Sequence, residues 1–228
     1  MVNFDPRFTE VIYFDIECYV SPDERQQSKS SMKFNPCKAR DFVLGGVFRR
    51  AFPLQNNKLE PQLEIWNWKP EAEANTLKEI YSFFKESWRL IEQKTDQNPD
   101  LILIGTGISR HDIPTLYMRS VMHDVDSQEA LYETYFKTKA VDLGDVGILL
   151  FRHDPRYYPM YPKTTNALMT RLGLQNQGRK DTGKSVWELY ESGQHEAIKE
   201  RTASEVENAV RISDRIISKV VSGQIVVR

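Results

Sequence analysis

Two acidic residues stand close together in an apolar segment near the start of the chain. The segment VIYFDIECYV, residues 11–20, carries Asp15 and Glu17 among β-branched and aromatic residues that are typical of a buried strand. Alternate residues of a strand point to the same face, so the two carboxylates repel each other unless a positive group neutralises them. Divalent metal ions could do so and could activate water for phosphodiester hydrolysis, as in two-metal sites. A salt-bridged strand end is the alternative interpretation.

A third acid, Asp112, follows a second apolar segment, LILIG at 101–105. It lies where a helix is predicted to begin, because Pro114 suits a first helical turn. An aspartate at a helix start can simply cap the helix. The surrounding pattern is more particular than a cap, however, since two glycines precede the run His-Asp-Ile-Pro and a leucine and an arginine follow it: Gly105, Gly107, Leu116 and Arg119.

Hydrophobic periodicity predicts the elements that position these acids. Strands are predicted in the segments VIYFD, DFVLGGVFRR and QLEIWNW, which suggest an antiparallel meander, and a further strand in LILIGTG. Helices are predicted at 71–95, from about 112, and at 143–152, 164–173, 184–192 and 195–221. The sequence therefore predicts one α/β domain over residues 1–228, with a flexible loop at 21–41.

Composition narrows the class of protein. The formal net charge is −1, so any contact with nucleic acid must come from local patches. No apolar run approaches the ~18 residues of a membrane span, and the polar N-terminus is not a signal peptide. The cysteines Cys18 and Cys37 lack the spacing of a zinc site, and the histidines form no zinc-hydrolase motif. We expect a cytoplasmic protein with free thiols and no membrane contact.

The order of several segments resembles a known family. These segments are YFDIE, the helix before LILIGTG, HDIPTLYMR, AVDLGDV, LMTRLGL and GRKDTGKSVWELYESGQHEAI, and they extend from about residue 11 to 220. Together they resemble the DEDD (DnaQ-like) 3′–5′ exonucleases, in particular the predicted exonucleases similar to the proofreading domain of family B DNA polymerases. The resemblance implies an RNase H-like fold with a mixed central sheet, whose first three strands are antiparallel and on which helices pack.

The resemblance also implies a site in which four carboxylates hold two Mg²⁺ or Mn²⁺ ions. Asp15 would bridge both ions, Glu17 would bind one, and Asp112 would serve the other. The fourth carboxylate comes from a late helix, where alignment places Glu205 in the family's aspartate position. Asp214 is the competitor, but nine residues turn a helix by about 900°, which places it nearly opposite Glu205.

Three positions depart from the family pattern. Arg201 stands where relatives have the tyrosine that helps to deprotonate water, and arginine cannot accept a proton because its pKa exceeds about 12. Glu205 is longer than the family's aspartate by one methylene. Gly107 stands where relatives often carry an asparagine that supports the site. His195 and Glu200 are the alternative groups that could orient water.

Two hypotheses on function follow from these residues. The first is a metal-dependent 3′–5′ exonuclease that acts on single-stranded ends of DNA or RNA. The second is a catalytically weakened, nuclease-derived protein that binds nucleic acid or serves as a scaffold. A purely structural α/β domain is a third interpretation. The resemblance leaves a polymerase or another repair or replication protein open as a partner. Asp142, in AVDLGDV, is predicted to be structural, as a cap of the following helix.

Overall fold

A six-stranded mixed sheet forms the centre of the protein. The computed structural model describes residues 9–27, 34–52, 58–93, 100–151, 165–175 and 184–221. The strands are β1 (Thr9–Tyr19), β2 (Phe42–Phe52), β3 (Lys58–Leu59), β4 (Leu63–Trp66), β5 (Asp100–Gly105) and β6 (Lys139–Asp142). Their order is β3-β2-β1-β5-β6, with β4 also paired to β2. Strand β2 is antiparallel to β1, β3 and β4, whereas β5 is parallel to β1 and β6. The predicted mixed sheet with antiparallel first strands is confirmed.

Helices pack on this sheet. They are α1 (Pro22–Gln27), α2 (Glu73–Glu92), α3 (Asp112–Met122), α4 (Gln128–Phe136), α5 (Leu143–Phe151), α6 (Thr165–Arg171), α7 (Lys184–Glu191) and α8 (His195–Val221). The predicted helices are present to within a few residues, but α1, α4 and the short strands β3 and β6 were not predicted. Helix α4 begins where the hydroxyl of Ser127 accepts a hydrogen bond from the amide of Ala130, at 3.2 Å. Within the described ranges, no helix is long and apolar enough to cross a membrane.

The two faces of β1 pack against different groups of helices. Its even-numbered residues Ile12, Phe14, Ile16 and Cys18 belong to a core shared with α2, α3 and α4. Its odd-numbered residues Val11 and Tyr13 belong to a second core, shared with α6 and α8. Asp15 and Glu17 continue the odd-numbered row, so the alternation of the strand directs both carboxylates towards α8.

A bulge in the β1–β2 ladder follows Glu17. The register shifts between Glu17 and Cys18, and Gly45 of β2 lies opposite Glu17. Gly45 has a φ of 137°, and a Cβ atom there would lie 2.1 Å from the carbonyl oxygen of Ile65. Only glycine fits both the backbone conformation and the close approach of β4. Gly45 of β2 therefore permits the irregular pairing of β1 and β2 next to Glu17, the second carboxylate of β1.

The segment predicted as a flexible loop begins with a helix. Residues 22–27 form α1, and its Arg25 contacts Glu191 of α7 at 2.8 Å and lies over the ring of Trp187. The amide of Ser21 donates a hydrogen bond to Asp41 at 3.0 Å, so the two ends of the segment are tied together. Residues 28–33 lie outside the described part of the chain.

A buried ion pair joins α3 to α2. The guanidinium of Arg119 donates to both carboxylate oxygens of Glu73. It also donates to the carbonyl oxygens of Pro36 and Lys38, at 3.0 Å each, and Glu73 accepts the backbone amide of Val43 at 2.8 Å. The motif arginine is thus a structural residue that fixes the helix carrying Asp112 to the sheet.

Candidate active site

Three of the predicted acids interact electrostatically around β1. Asp15 comes from the strand, Asp112 from the first turn of α3 and Glu205 from the middle of α8. Burial raises the pKa of Asp15 well above its ordinary value, and the charges of Asp112 and then Glu205 raise it further. Arg201, one helical turn before Glu205, lowers it. Glu205 therefore lies within electrostatic reach of Asp15, a half-buried aspartate surrounded by like charges.

Asp112 has one carboxylate oxygen without a partner. Its Oδ1 lies 2.7 Å from Nδ1 of His111, whereas its Oδ2 is buried and has no hydrogen-bond partner. Burial raises the pKa of Asp112, and the contact with His111 offsets only part of that shift. For His111, burial lowers the pKa, but the hydrogen bond and charge of Asp112 outweigh it, so the net pKa is raised. The unpartnered oxygen is therefore available to accept a hydrogen bond or to coordinate a cation.

Glu17 is bound by Arg201 of α8. Nη1 of Arg201 donates to Oε1 of Glu17, and the hydroxyl of Thr202 lies 3.2 Å from the same oxygen. The side chain of Arg201 is only 13% exposed. The positive group that pairs with Glu17, and whose charge also acts on Asp15, is therefore a guanidinium of the chain itself.

Sequence reasoning did not identify Thr202 as part of this site. The signal that could have found it is its place in the buried row of α8, because it is the one polar residue among Ile198, Val206 and Ala209. A buried hydroxyl on an apolar helical stripe needs a partner. Here that partner is the carboxylate of Glu17, together with the carbonyl oxygen of Ile198 at 2.9 Å.

The other candidate residues on α8 lie away from the cluster. Asp214 is exposed, and its pKa is raised by partial burial and by Glu207. His195 stacks on the ring of Trp68 at 4.1 Å between centroids, and ten residues separate it from Glu205, which corresponds to about 15 Å along a helix. Glu200 is exposed on α8. In this structure, His195 is committed to an aromatic contact and does not face the acids.

A comparison with solved structures identifies the fold. The chain is similar to a structure described as "3′-end specific recognition of histone mRNA stem-loop by 3′-exonuclease", with a TM-score of 0.53 and 12% sequence identity. The alignment covers 92% of this chain and 82% of that one. The fold is RNase H-like. No protein-family model matches the sequence, and a search of curated proteins finds no match.

The exonuclease-like fold suggests the use of divalent metal ions, which carboxylate side chains would have to bind. Among the residues described, no three His, Cys, Asp or Glu side chains are grouped so that they could hold a metal ion. Glu17 is occupied by Arg201, and Asp112 offers a free oxygen. The two-ion set that the resemblance implies does not fit this arrangement of side chains.

Asp142 anchors the loop that leads from β5 to Asp112. Its Oδ1 accepts hydrogen bonds from the amides of Gly107 and Gly144, at 2.9 Å each. Its Oδ2 accepts from the amide and the hydroxyl of Ser109, at 3.2 and 2.7 Å. Asp142 therefore has the structural role that the sequence predicted, and it also fixes the loop. Gly107 has a φ of 82°, a conformation that asparagine also tolerates.

We expect Asp142→Asn to destabilise the protein by about 1–2 kcal/mol, because an amide group cannot accept all four hydrogen bonds. Urea unfolding followed by circular dichroism measures the change. Asp145→Asn is the matched control, since Asp145 contacts only the exposed Arg110 among the interactions described, at 2.7 Å. Equal effects of the two substitutions would contradict the anchoring role of Asp142.

Two further segments of interest for nucleic-acid binding lie wholly or largely outside the described residues. The tyrosine-rich segment DPRYYPMYP at 154–162 lies outside the described residues, as does the basic segment GRKDTGK up to residue 183. The tyrosines are predicted to pack within an ordered loop, with stacking on bases as the alternative, and Arg179, Lys180 and Lys184 either contact phosphates or form a solvated turn.

Proposed function

We propose that this protein binds the single-stranded 3′ ends of DNA or RNA in an exonuclease-type site whose hydrolytic step is weakened. The observation that carries the proposal is the ion pair of Arg201 and Glu17 inside an RNase H-like exonuclease fold. Similarity to a 3′-exonuclease structure supports a nuclease-like protein that contacts nucleic acid. The ion pair supports weak hydrolysis, because it occupies a carboxylate that two-metal chemistry requires.

The residues of the site explain why hydrolysis would be slow. Arginine at position 201 cannot accept a proton from water, so the usual base is missing. His195 stacks on Trp68 and therefore does not replace it. Asp15 and Asp112 have raised pKa values, so each holds a proton more readily than an ordinary carboxyl group.

The same arrangement suits the binding of a phosphodiester. Acidic clusters repel phosphate groups, and a guanidinium within the cluster reduces that repulsion. Arginine is also the side chain best matched to phosphate, because its planar fork can donate two parallel hydrogen bonds. Nε of Arg201 is buried and has no partner in the described structure, so it retains a donor.

A metal-dependent 3′–5′ exonuclease with full turnover is the second candidate function. The unpartnered Oδ2 of Asp112 favours it, because a buried carboxylate oxygen without a hydrogen bond is the kind of donor that a cation would satisfy. In this case Asp15, Glu17, Asp112 and Glu205 would be the metal ligands, and the ions would be Mg²⁺ or Mn²⁺.

Oligonucleotide binding and shortening distinguish the two candidates. We expect linear single strands with a free 3′ end to bind at least about tenfold more tightly than circular strands of the same sequence. Fluorescence anisotropy measures binding, and 5′-labelled DNA and RNA on denaturing gels with Mg²⁺ or Mn²⁺ measure shortening. Slow shortening from the 3′ end that Asp15→Ala abolishes supports the proposal.

Two results decide against it. Rapid laddering by the wild type would favour the full exonuclease. Equal affinity for linear and circular strands, or no binding, would exclude a 3′-end site altogether. Asp214→Ala is the matched control for Asp15→Ala, because it removes an exposed carboxylate of α8 that lies away from the cluster.

A further inference from the structure

We propose that the guanidinium of Arg201 is a built-in cation, which takes the place of a divalent ion at Glu17, and that a neutral side chain at this position converts the acids into a metal site. The inference rests on the proposed function, because it concerns the same carboxylates. It goes further, since it assigns to one side chain the control of metal affinity.

The contacts of Arg201 are those expected of a resident counter-ion. Its Nη1 donates to Oε1 of Glu17, and its charge also stabilises the ionised form of Asp15. It therefore acts on both carboxylates of β1, the pair that otherwise repel each other. Its side chain is 13% exposed, so solvent screens this charge only partly.

A guanidinium and a divalent ion cannot both bind the carboxylate of Glu17 without a large electrostatic penalty. Two positive groups within a few ångströms repel each other, and partial burial strengthens that repulsion. Binding of an ion at Glu17 would first have to displace Arg201 and leave the guanidinium without its carboxylate partner. The wild-type protein should therefore bind divalent ions weakly at this place.

The remaining acids favour a cation once Arg201 is neutral. Glu17 would then lose its ion-pair partner, and the mutual repulsion of Asp15, Asp112 and Glu205 would remain. A second and independent observation points to a ligand, because Oδ2 of Asp112 is unpartnered in a residue that is only 4% exposed. Oxygen donors of this kind are those that Mg²⁺ and Mn²⁺ prefer.

Titration of the metal-free protein with Mn²⁺, in the absence of nucleic acid, tests the inference. Electron paramagnetic resonance of free Mn²⁺ gives the dissociation constant for the wild type, Arg201→Gln and Arg201→Lys. We expect Arg201→Gln to bind Mn²⁺ at least about tenfold more tightly than the wild type, and Arg201→Lys to resemble the wild type because it keeps the charge. The double variant Glu17→Gln, Arg201→Gln should lose the gain.

Circular dichroism establishes that each variant is folded, and Arg201→Met is measured in parallel as a second neutral replacement. Tight binding of Mn²⁺ by the wild type, or no gain in a folded neutral variant, would overturn the inference. Because no nucleic acid is present, this outcome is independent of the 3′-end binding test. A protein that binds 3′ ends but gains no Mn²⁺ affinity would refute the inference alone.

Discussion

Replacement of Arg119 with alanine is expected to lower the free energy of unfolding by about 3–5 kcal/mol, because Glu73 loses its guanidinium partner in the interior and retains the contacts with the ring of His123 at 2.9 Å and the amide of Val43 at 2.8 Å. Arg119 is 2% exposed and Glu73 is 1% exposed, so water cannot solvate the remaining carboxylate. The guanidinium also satisfies the carbonyl oxygens of Pro36 and Lys38. In a chain of this length the loss corresponds to a fall of about 6–20 °C in the unfolding midpoint.

Thermal and urea unfolding of the variant measure this effect. Arg89→Ala is the matched control, because Arg89 pairs with Glu86 on the exposed side of α2, where their side chains are 53% and 42% exposed. Exposed pairs contribute little to stability, so the control should leave the midpoint nearly unchanged. A double-mutant cycle with Glu73→Gln should show strong coupling between Arg119 and Glu73. Equal shifts for Arg119→Ala and Arg89→Ala would show that the buried pair does not stabilise the fold.

Asp15→Asn is expected to stabilise the metal-free protein by about 1–3 kcal/mol at pH 8, because it removes a carboxylate that folding forces close to other negative charges. Burial raises the pKa of Asp15 first, and Asp112 and Glu205 raise it further. The folded state therefore binds a proton more tightly than the unfolded chain does. It loses stability as the pH rises from the ordinary aspartate pKa of about 3.9 to the raised folded value, above which the full penalty remains.

The pH profile makes this prediction specific. The gain from Asp15→Asn should be largest at pH 8 and should disappear below about pH 3, where the carboxyl group is protonated in both the folded and the unfolded state. Urea unfolding in chelator-containing buffer at several pH values measures it. Asp23→Asn is the control, because Asp23 is an exposed partner of Arg40 on α1. A gain that does not depend on pH, or a loss of stability at pH 8, would show that the charge of Asp15 is already compensated in the fold.

The hydrophobic periodicity of the sequence was sufficient to predict most of the helices and strands. The apolar stripe of α2 and the long α8 are local patterns, and a local pattern is a property of consecutive residues. The failures are short or weakly patterned elements. Helix α4 covers nine residues and β6 covers four, and β6 lies at the edge of the sheet, where pairing with β5 decides its conformation.

The positions of the acids within their own elements were also predictable, because they follow from local helix and strand geometry. Period-two alternation placed Asp15 and Glu17 on one face of β1, and helical geometry separated Glu205 from Asp214 by half a turn. Their metal-binding and catalytic roles stay predictions. Sequence reasoning also found that Arg201 cannot be a base, because that property belongs to the side chain itself.

The sequence by itself determined which residues could take part in chemistry and which faces of their elements they occupy. Only the tertiary structure decided that the positive group that pairs with Glu17 is Arg201, which is 184 residues away along the chain. Contacts at such separations depend on how α8 packs across the sheet, and no local pattern encodes that packing. The same reason applies to Arg119 and Glu73, 46 residues apart, whose pairing is created when α3 packs against α2.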